Sequence, residues 1–178
     1  MSGHNKWSKI KNKKAVTDAA KSKIFSKMAK LISTASKQVN GDATSPILRA
    51  VIEKARGYNM PADNIERAVK KGVGADAEAL EAITYEAYGP AGSALIIEAL
   101  TTNRNKASQE IKFILSKHGF SLATPGSAMW AFKKEPATND LQPTTTIELS
   151  EDDGKKLEAL INELEDNDEV QDVYTNAV

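Results

Sequence analysis

The sequence predicts an α+β protein, in which a three-helix domain with a basic arm precedes a ferredoxin-like α+β domain with an extra leading strand. Apolar residues recur at the spacing of a helix over residues 16–74. From about residue 82 they occupy every second position, as in a β-strand. From residue 94 onward the predicted elements follow the order βαββαβ, which is the split βαβ arrangement. We therefore expect two domains, over residues 16–74 and 82–178.

Residues 1–15 are predicted to form a flexible basic arm. Trp7 and Ile10 are the large apolar side chains among its lysines. Two such side chains cannot bury enough surface to offset the entropy lost on ordering the segment.

Three amphipathic helices are predicted after the arm, over residues 17–40, 45–57 and 61–72. Apolar side chains recur at helical spacing within each segment, from Ala20 to Val39 in the first. Pro46 and Pro61 suit the first turn of a helix, and a glycine closes each segment. The glycines are Gly41, Gly57 and Gly72.

The second domain is predicted to contain five strands and two helices. Its strands cover residues 83–88, 94–100, 128–132, 144–149 and 170–175, and its helices cover 105–118 and the segment after the Ser150 cap. Residues 89–92 read as a hairpin turn, because they lack the strand-to-helix setting and the lysine of a phosphate-binding loop. The apolar run at 94–100 predicts a central strand covered on both faces.

The distribution of charged residues divides the chain near the same position as the change in the spacing of apolar residues. The first 74 residues carry 16 Lys or Arg against 5 Asp or Glu, and the remaining 104 carry 8 against 19, so the net charge of zero is a cancellation. The positively charged lysine side chains repel one another unless a polyanion neutralises them. The basic half is therefore predicted to bind nucleic acid.

The expected nucleic-acid contacts lie in the arm and at the start of the first helix. Trp7 has two interpretations that the sequence leaves open: its indole stacks on an unpaired base or lies against a groove, or it packs back onto the first helix. The predicted contacts are Lys6, Trp7, Lys9, Lys11, Lys13, Lys14, Lys21 and Lys23.

Other function classes find little support in the composition. The chain has no cysteine and two histidines, so a structural metal site, a cofactor and a catalytic Ser/His/Asp set are not expected. His118 is expected to cap a helix, and residues 103–106 either cap a helix or hold an anion. With no long apolar run, we expect a cytoplasmic, non-enzymatic protein that contacts neither membranes nor small-molecule substrates.

Several motifs together resemble the YebC/PmpR family. Their order along the chain is that of the family, and they cover nearly all of residues 2–132 and 141–176. The motifs are Ser2–Trp7 with Ile10, Lys11, Lys13 and Lys14; Asn59–Pro61 with Asn64–Ala68 and Lys70–Gly72; Tyr85, Glu86 and Tyr88–Pro90; Leu100, Thr101 and Asn103–Asn105; and Leu164–Asp166 with Val170–Tyr174.

The resemblance implies non-enzymatic control of gene expression. Bacterial members are described as DNA-binding transcriptional regulators. Mitochondrial and some bacterial members act as translation factors on ribosomes, the latter assisting the synthesis of proline-rich stretches. The resemblance therefore leaves two partners, DNA and ribosomal RNA.

The chain departs from the family pattern in length and in a loop. Family members insert a further α/β domain where residues 133–143 stand here, so the sequence indicates a shortened member. The family's acid after Thr101 is Thr102 here, and its Arg-Thr after Asn105 is Lys106-Ala107. This last change weakens the prediction of a specific ligand at residues 103–106.

Overall fold

The computed structural model describes residues 18–137 and 140–178. Contacts divide them into two units that meet in the sequence between Glu81 and Ala82. Within these ranges, no helix is both long and apolar enough to cross a bilayer. The elements are α1 (Asp18–Gln38), α2 (Pro46–Gly57), α3 (Ala62–Val73), β1 (Glu81–Tyr88), β2 (Ala94–Thr101), α4 (Arg104–Lys117), β3 (Phe132–Lys134), β4 (Leu141–Pro143), α5 (Glu151–Asp166) and β5 (Val170–Thr175), with 3-10 turns at Pro90–Gly92 and Met129–Ala131.

The first unit contains the three predicted helices. α1 packs against both α2 and α3, and the buried side chains between them include Ile32, Leu48 and Ile65. Pro46 occupies the first turn of α2, and Pro61 lies directly before α3. The predicted helical region, followed by a domain that contains sheet, is confirmed.

Gly72 has a different role from the predicted one. It does not end α3, which continues to Val73; instead it lies buried at the crossing with α1. A Cβ atom at Gly72 would collide with the Ser33 carbonyl oxygen and lie 2.8 Å from Ser36 Cβ. Ser36 also donates a hydrogen bond from Oγ to the Val69 carbonyl oxygen at 2.8 Å. The two backbones therefore approach closely because residue 72 has no side chain.

The second unit is built on a three-stranded sheet in the order β1-β2-β5. β2 and β5 are antiparallel, with Leu95 opposite Thr175 and Ile97 opposite Val173, and the register shifts after Glu98. One face of β2 packs with α4 and α5, and the other packs with Ala128, Ala131, Phe132 and Leu141. The prediction of a central strand buried on both faces is confirmed.

The middle part of this unit differs from a complete ferredoxin-like sheet. β3 and β4 pair with each other in a separate antiparallel sheet. A strand offers two edges for pairing, and β1 and β5 occupy both edges of β2. No edge of the central strand is left for β3 or β4, so they form a hairpin beside the sheet.

Two predicted strands are wrong in position: β3 shares only Phe132 with the predicted strand at 128–132, and β4 ends before the predicted strand at 144–149 begins. Residues 128–132 begin with a 3-10 turn, and β3 starts only at Phe132, because the backbone N–H groups of Ala128 and Met129 donate to a side chain instead of a neighbouring strand. Within residues 144–149, Ile147 alone makes a β-bridge, to Ala177. The exposed threonines at 144–146 would add no buried apolar surface to a longer strand.

We expect Gly72→Ala to destabilise the first unit by about 1–3 kcal/mol, because the added methyl group forces α1 and α3 apart. The matched control is Gly57→Ala at the end of α2, where a Cβ atom meets nothing within 4 Å. Urea unfolding followed by helical circular dichroism measures both. Equal midpoints for the two variants would contradict the close-packing role of Gly72.

Candidate nucleic-acid interface

Most of the predicted nucleic-acid contacts belong to the arm. Residues 1–17 lie outside the described residues. The flexibility of the arm and the two interpretations of Trp7 therefore stay predictions. The contacts concerned are Lys6, Trp7, Lys9, Lys11, Lys13 and Lys14.

The two remaining predicted contacts, Lys21 and Lys23, are exposed side chains of α1. Residues two positions apart on an α-helix do not face each other. The structure therefore does not bring Lys21 and Lys23 together on one side of α1.

Lys23 instead belongs to a row of lysines on α1. Lys27, Lys30 and Lys37 follow it at i+4, i+7 and i+14, the spacing that keeps side chains on one helix face. Asp18 is the only acidic residue of α1. We call Lys23, Lys27, Lys30 and Lys37 the α1 lysine row. Helical spacing could have found this row and set it apart from Lys21, because the helix itself was predicted over residues 17–40.

Several cations of α2 and α3 have partners within the same unit. Arg56 forms an ion pair with Glu53, and Lys71 pairs with Glu78 at 3.2 Å. The guanidinium of Arg67 donates to Asn64 Oδ1 and to the Asp63 carbonyl oxygen. These contacts account for those three cations without a ligand.

The loop before α4 is occupied by its own capping interactions. Asn103 accepts a hydrogen bond from the Lys106 backbone N–H at 3.0 Å, and its own N–H donates to the buried Thr101 Oγ1 at 2.9 Å. Lys106 Nζ lies 3.1 Å from a Glu169 carboxylate oxygen. The ion pair with Glu169, and then the charge of Glu110, raise the pKa of Lys106. Of the two interpretations of residues 103–106, helix capping is the one that the geometry bears out.

The other candidate groups also have structural roles. His118 follows the last residue of α4, and its Nε2 lies 2.8 Å from Glu163 Oε2. The Ser150 side chain caps α5 by accepting from the Asp153 N–H, and the acids of the first turn lie near that helix N-terminus. No group of His, Asp or Glu placed to hold a metal ion occurs within residues 18–137 and 140–178.

A buried carboxylate organises the second unit. Glu86 on β1 is 7% exposed, and its two oxygens accept hydrogen bonds from the backbone N–H groups of Gly126, Ala128 and Met129. Burial acts to raise the pKa of Glu86, but the three donors outweigh it and hold that pKa below its ordinary value. The Glu86 carbonyl oxygen also accepts from the Ala123 N–H at 2.8 Å. Glu86 therefore fixes residues 123–129 against the edge of β1.

Tyr88, two positions further along β1 and on the same side of the strand as Glu86, continues this arrangement. The Tyr88 hydroxyl donates to the Ser127 carbonyl oxygen and accepts a hydrogen bond from Trp130 Nε1 at 3.2 Å. The indole of Trp130 is 61% exposed. The sequence pattern showed Glu86 and Tyr88 only as the polar face of a strand and part of a family motif. Their hydrogen-bond partners lie 39 to 43 positions further along the chain, and could not be read from that pattern.

Family models match both units of the chain. The model described as "TACO1/YebC protein N-terminal domain" matches residues 5–75. The model described as "TACO1/YebC second and third domain" matches residues 80–139 and 133–177. The chain belongs to the TACO1/YebC family. The predicted membership is thereby confirmed, and the motif of Tyr85, Glu86 and Tyr88 lies within the second match.

Curated relatives in this family carry the name "Probable transcriptional regulatory protein". The protein from Thermosipho africanus is 38% identical over an alignment of 235 positions. The alignment covers 99% of this chain and 93% of that protein. The protein from Trichlorobacter lovleyi is 43% identical over 177 residues, which cover 98% of this chain and 70% of that protein. These members of the family are thus named as regulators of transcription.

A solved structure has a similar fold. It is the crystal structure of a conserved hypothetical protein from Aquifex aeolicus, which is 26% identical in sequence and superimposes with a TM-score of 0.78. The match covers 90% of this chain and 91% of that one.

We expect Glu86→Gln to lower the free energy of unfolding of the second unit at neutral pH by about 1–3 kcal/mol, because three N–H donors lose a charged acceptor. Since the folded pKa of Glu86 is depressed, its stabilisation is present above the unfolded pKa and is lost as pH falls through the folded value. The stability difference between wild type and variant should therefore shrink below a pH of about 4.5.

The measurement is urea unfolding as a function of pH, followed by Trp130 fluorescence in a Trp7→Phe background. Glu148→Gln, at an exposed position, is the matched control for removing one carboxylate. A Glu86→Gln curve that coincides with the Glu148→Gln curve at every pH would refute the organising role of Glu86.

Proposed function

We propose that this TACO1/YebC member is a non-enzymatic regulator of gene expression that binds nucleic acid through its basic arm and the α1 lysine row. The observation that carries the proposal is the segregation of charge, with 16 basic and 5 acidic residues before position 75 and 8 basic and 19 acidic residues after it. A surface of one sign attracts a polyanion and gains affinity from released counterions.

The regular placement of four lysines on the helix α1 supports the same proposal. Lys23, Lys27, Lys30 and Lys37 extend the positive charge of the arm along one face of α1. A lysine presents a point charge that suits phosphate, and the row contains none of the Arg, Asn and Gln side chains that read base edges. The proposed contact is therefore made with the phosphate backbone and depends little on sequence.

Two nucleic-acid partners follow from the relatives and from the arm. The name shared by the curated relatives supports DNA as the partner, with a role in transcription. The alternative is a ribosome-associated translation factor that binds ribosomal RNA and assists the synthesis of proline-rich stretches. Trp7, placed between Lys6 and Lys9, favours this alternative because an unstructured RNA segment offers unpaired bases for stacking.

The other parts of the proposal concern the two units. We infer a cytoplasmic protein without cofactor or metal, in which residues 16–74 form the nucleic-acid-binding domain and residues 82–178 form an acidic domain. Residues 133–143, which include most of β3 and all of β4, stand in place of the family's inserted domain. In support, the alignment with the Thermosipho africanus relative extends over 235 positions, more than the 178 residues of this chain.

Replacing Lys9, Lys11, Lys13 and Lys14 with Ala should flatten the dependence of log affinity on log salt for duplex DNA. The slope should change by about 0.9 for each phosphate that the variant no longer neutralises. Fluorescence anisotropy of a labelled duplex at several salt concentrations measures the slope. A second variant, with Ala at Lys23, Lys27, Lys30 and Lys37, tests the α1 lysine row separately.

The matched control removes the same charge from the acidic domain, by Ala substitution at Lys112, Lys117, Lys155 and Lys156. We expect this variant to keep the wild-type slope. If it lowers the slope as much as the arm variant, the effect is one of net charge and the proposed interface is wrong.

Sedimentation of DNase-treated lysate through a sucrose gradient distinguishes the two partners. Wild type that travels with ribosomal particles, together with an arm variant that stays at the top, would establish the ribosomal alternative. If both stay at the top while wild type binds duplex DNA with a steep salt dependence, the transcriptional role stands.

A further inference from the structure

The indole of Trp130 is an exposed aromatic ring in a fixed position. It is 61% exposed, yet its Nε1 donates to the Tyr88 hydroxyl at 3.2 Å. Tyr88 is held by the Ser127 carbonyl oxygen, and the residues on either side of Ser127 are held by the buried Glu86 carboxylate. A run of hydrogen bonds from β1 therefore fixes an apolar ring that is left facing solvent.

The hydrogen bond also decides which part of the ring can bind a ligand. Because the indole N–H is already donated to Tyr88, the group left for recognition is the aromatic face. Stacking on a nucleic-acid base uses this face and requires no donor.

The two lysines nearest to Trp130 in the sequence lie on β3, where successive side chains point to opposite faces of the strand. Lys133 and Lys134 follow Trp130 by three and four residues and are exposed on β3. Neither makes an ion pair within residues 18–137 and 140–178. By contrast, the lysines that form ion pairs on the helices of this unit are Lys106, Lys117, Lys155 and Lys156.

We propose that Trp130, Lys133 and Lys134 form a second nucleic-acid contact, in which an unpaired base stacks on the indole and the two lysines, one on each face of β3, attract the phosphates on either side of that base. The partner is single-stranded nucleic acid, because a duplex keeps its base faces stacked internally. This inference rests on the proposed function and adds to it a contact in the acidic domain.

A polypeptide partner fits these features less well. Proline-rich segments dock into grooves lined by several aromatic side chains. Among the described residues, Trp130 and Phe113 are the aromatic side chains with large exposure, and Phe113 lies on α4, not on the Trp130 segment. A fixed, exposed ring that is followed by two exposed lysines on β3 suits a base and its phosphates.

Trp130 can be observed directly, since the chain contains two tryptophans and the other is Trp7. In the Trp7→Phe variant, titration with short single-stranded oligoadenylate should quench the Trp130 fluorescence saturably. Anisotropy of the labelled oligonucleotide should show that adding Trp130→Ala weakens binding about five-fold or more, and that Trp130→Phe weakens it less. Ala at Lys133 and Lys134 should reduce the salt slope by about 0.7 for each phosphate that is no longer neutralised.

The control is Phe113→Ala, which removes a comparably exposed ring, 70% exposed, from the outer side of α4. We expect it to bind oligoadenylate as wild type does. Thermal unfolding of each variant shows whether the fold is intact, and Trp130→Phe keeps the test valid if Trp130→Ala is unstable.

The outcomes separate this inference from the proposed function. If oligoadenylate binds but leaves the fluorescence and the Trp130→Ala affinity unchanged, the second contact is wrong and the arm still accounts for binding. If oligoproline quenches Trp130 and oligoadenylate does not, the site binds polypeptide and the inference is overturned. If neither single strands nor duplexes bind the wild type, this inference and the proposed function both fail.

Discussion

Burying a carboxylate in a protein interior costs several kcal/mol unless hydrogen bonds replace the lost water. The Glu86 side chain meets this requirement with three backbone N–H donors from residues 126–129. These bonds hold the segment that covers the second face of β2, where Ile96, Ala128 and Phe132 belong to one buried cluster. Both the second core and the placement of Trp130 depend on this one charged group.

The first unit depends on a steric constraint of a different kind. At Gly72 the backbone of α3 approaches Ser33 and Ser36 of α1 so closely that no side chain fits, and the Ser36 hydroxyl bonds the facing Val69 carbonyl. This contact holds α3 directly against one side of α1. The α1 lysine row occupies another side of the same helix, so one element contributes both to the core and to the proposed interface.

The helical elements, the central strand and the last strand were predictable because each carries its signal locally. Apolar spacing places α1–α5, Ser150 and Asn103 are recognisable caps, and β5 has the predicted bounds of residues 170–175. The pairing of β3 with β4 was not predictable in this way. It depends on β1 taking an edge of β2, which is a competition between segments far apart in the chain.

The sequence by itself determined the class of the fold, the family and the separation of charge, since these follow from composition, period and motifs along the chain. Tertiary structure decided which groups come together. The separation of Lys21 from Lys23 follows from the spacing along one predicted helix, whereas Glu86, Tyr88 and Trp130 meet because a loop returns to the edge of β1. Contacts of the second kind join residues about 40 positions apart, and no local pattern of side chains encodes them.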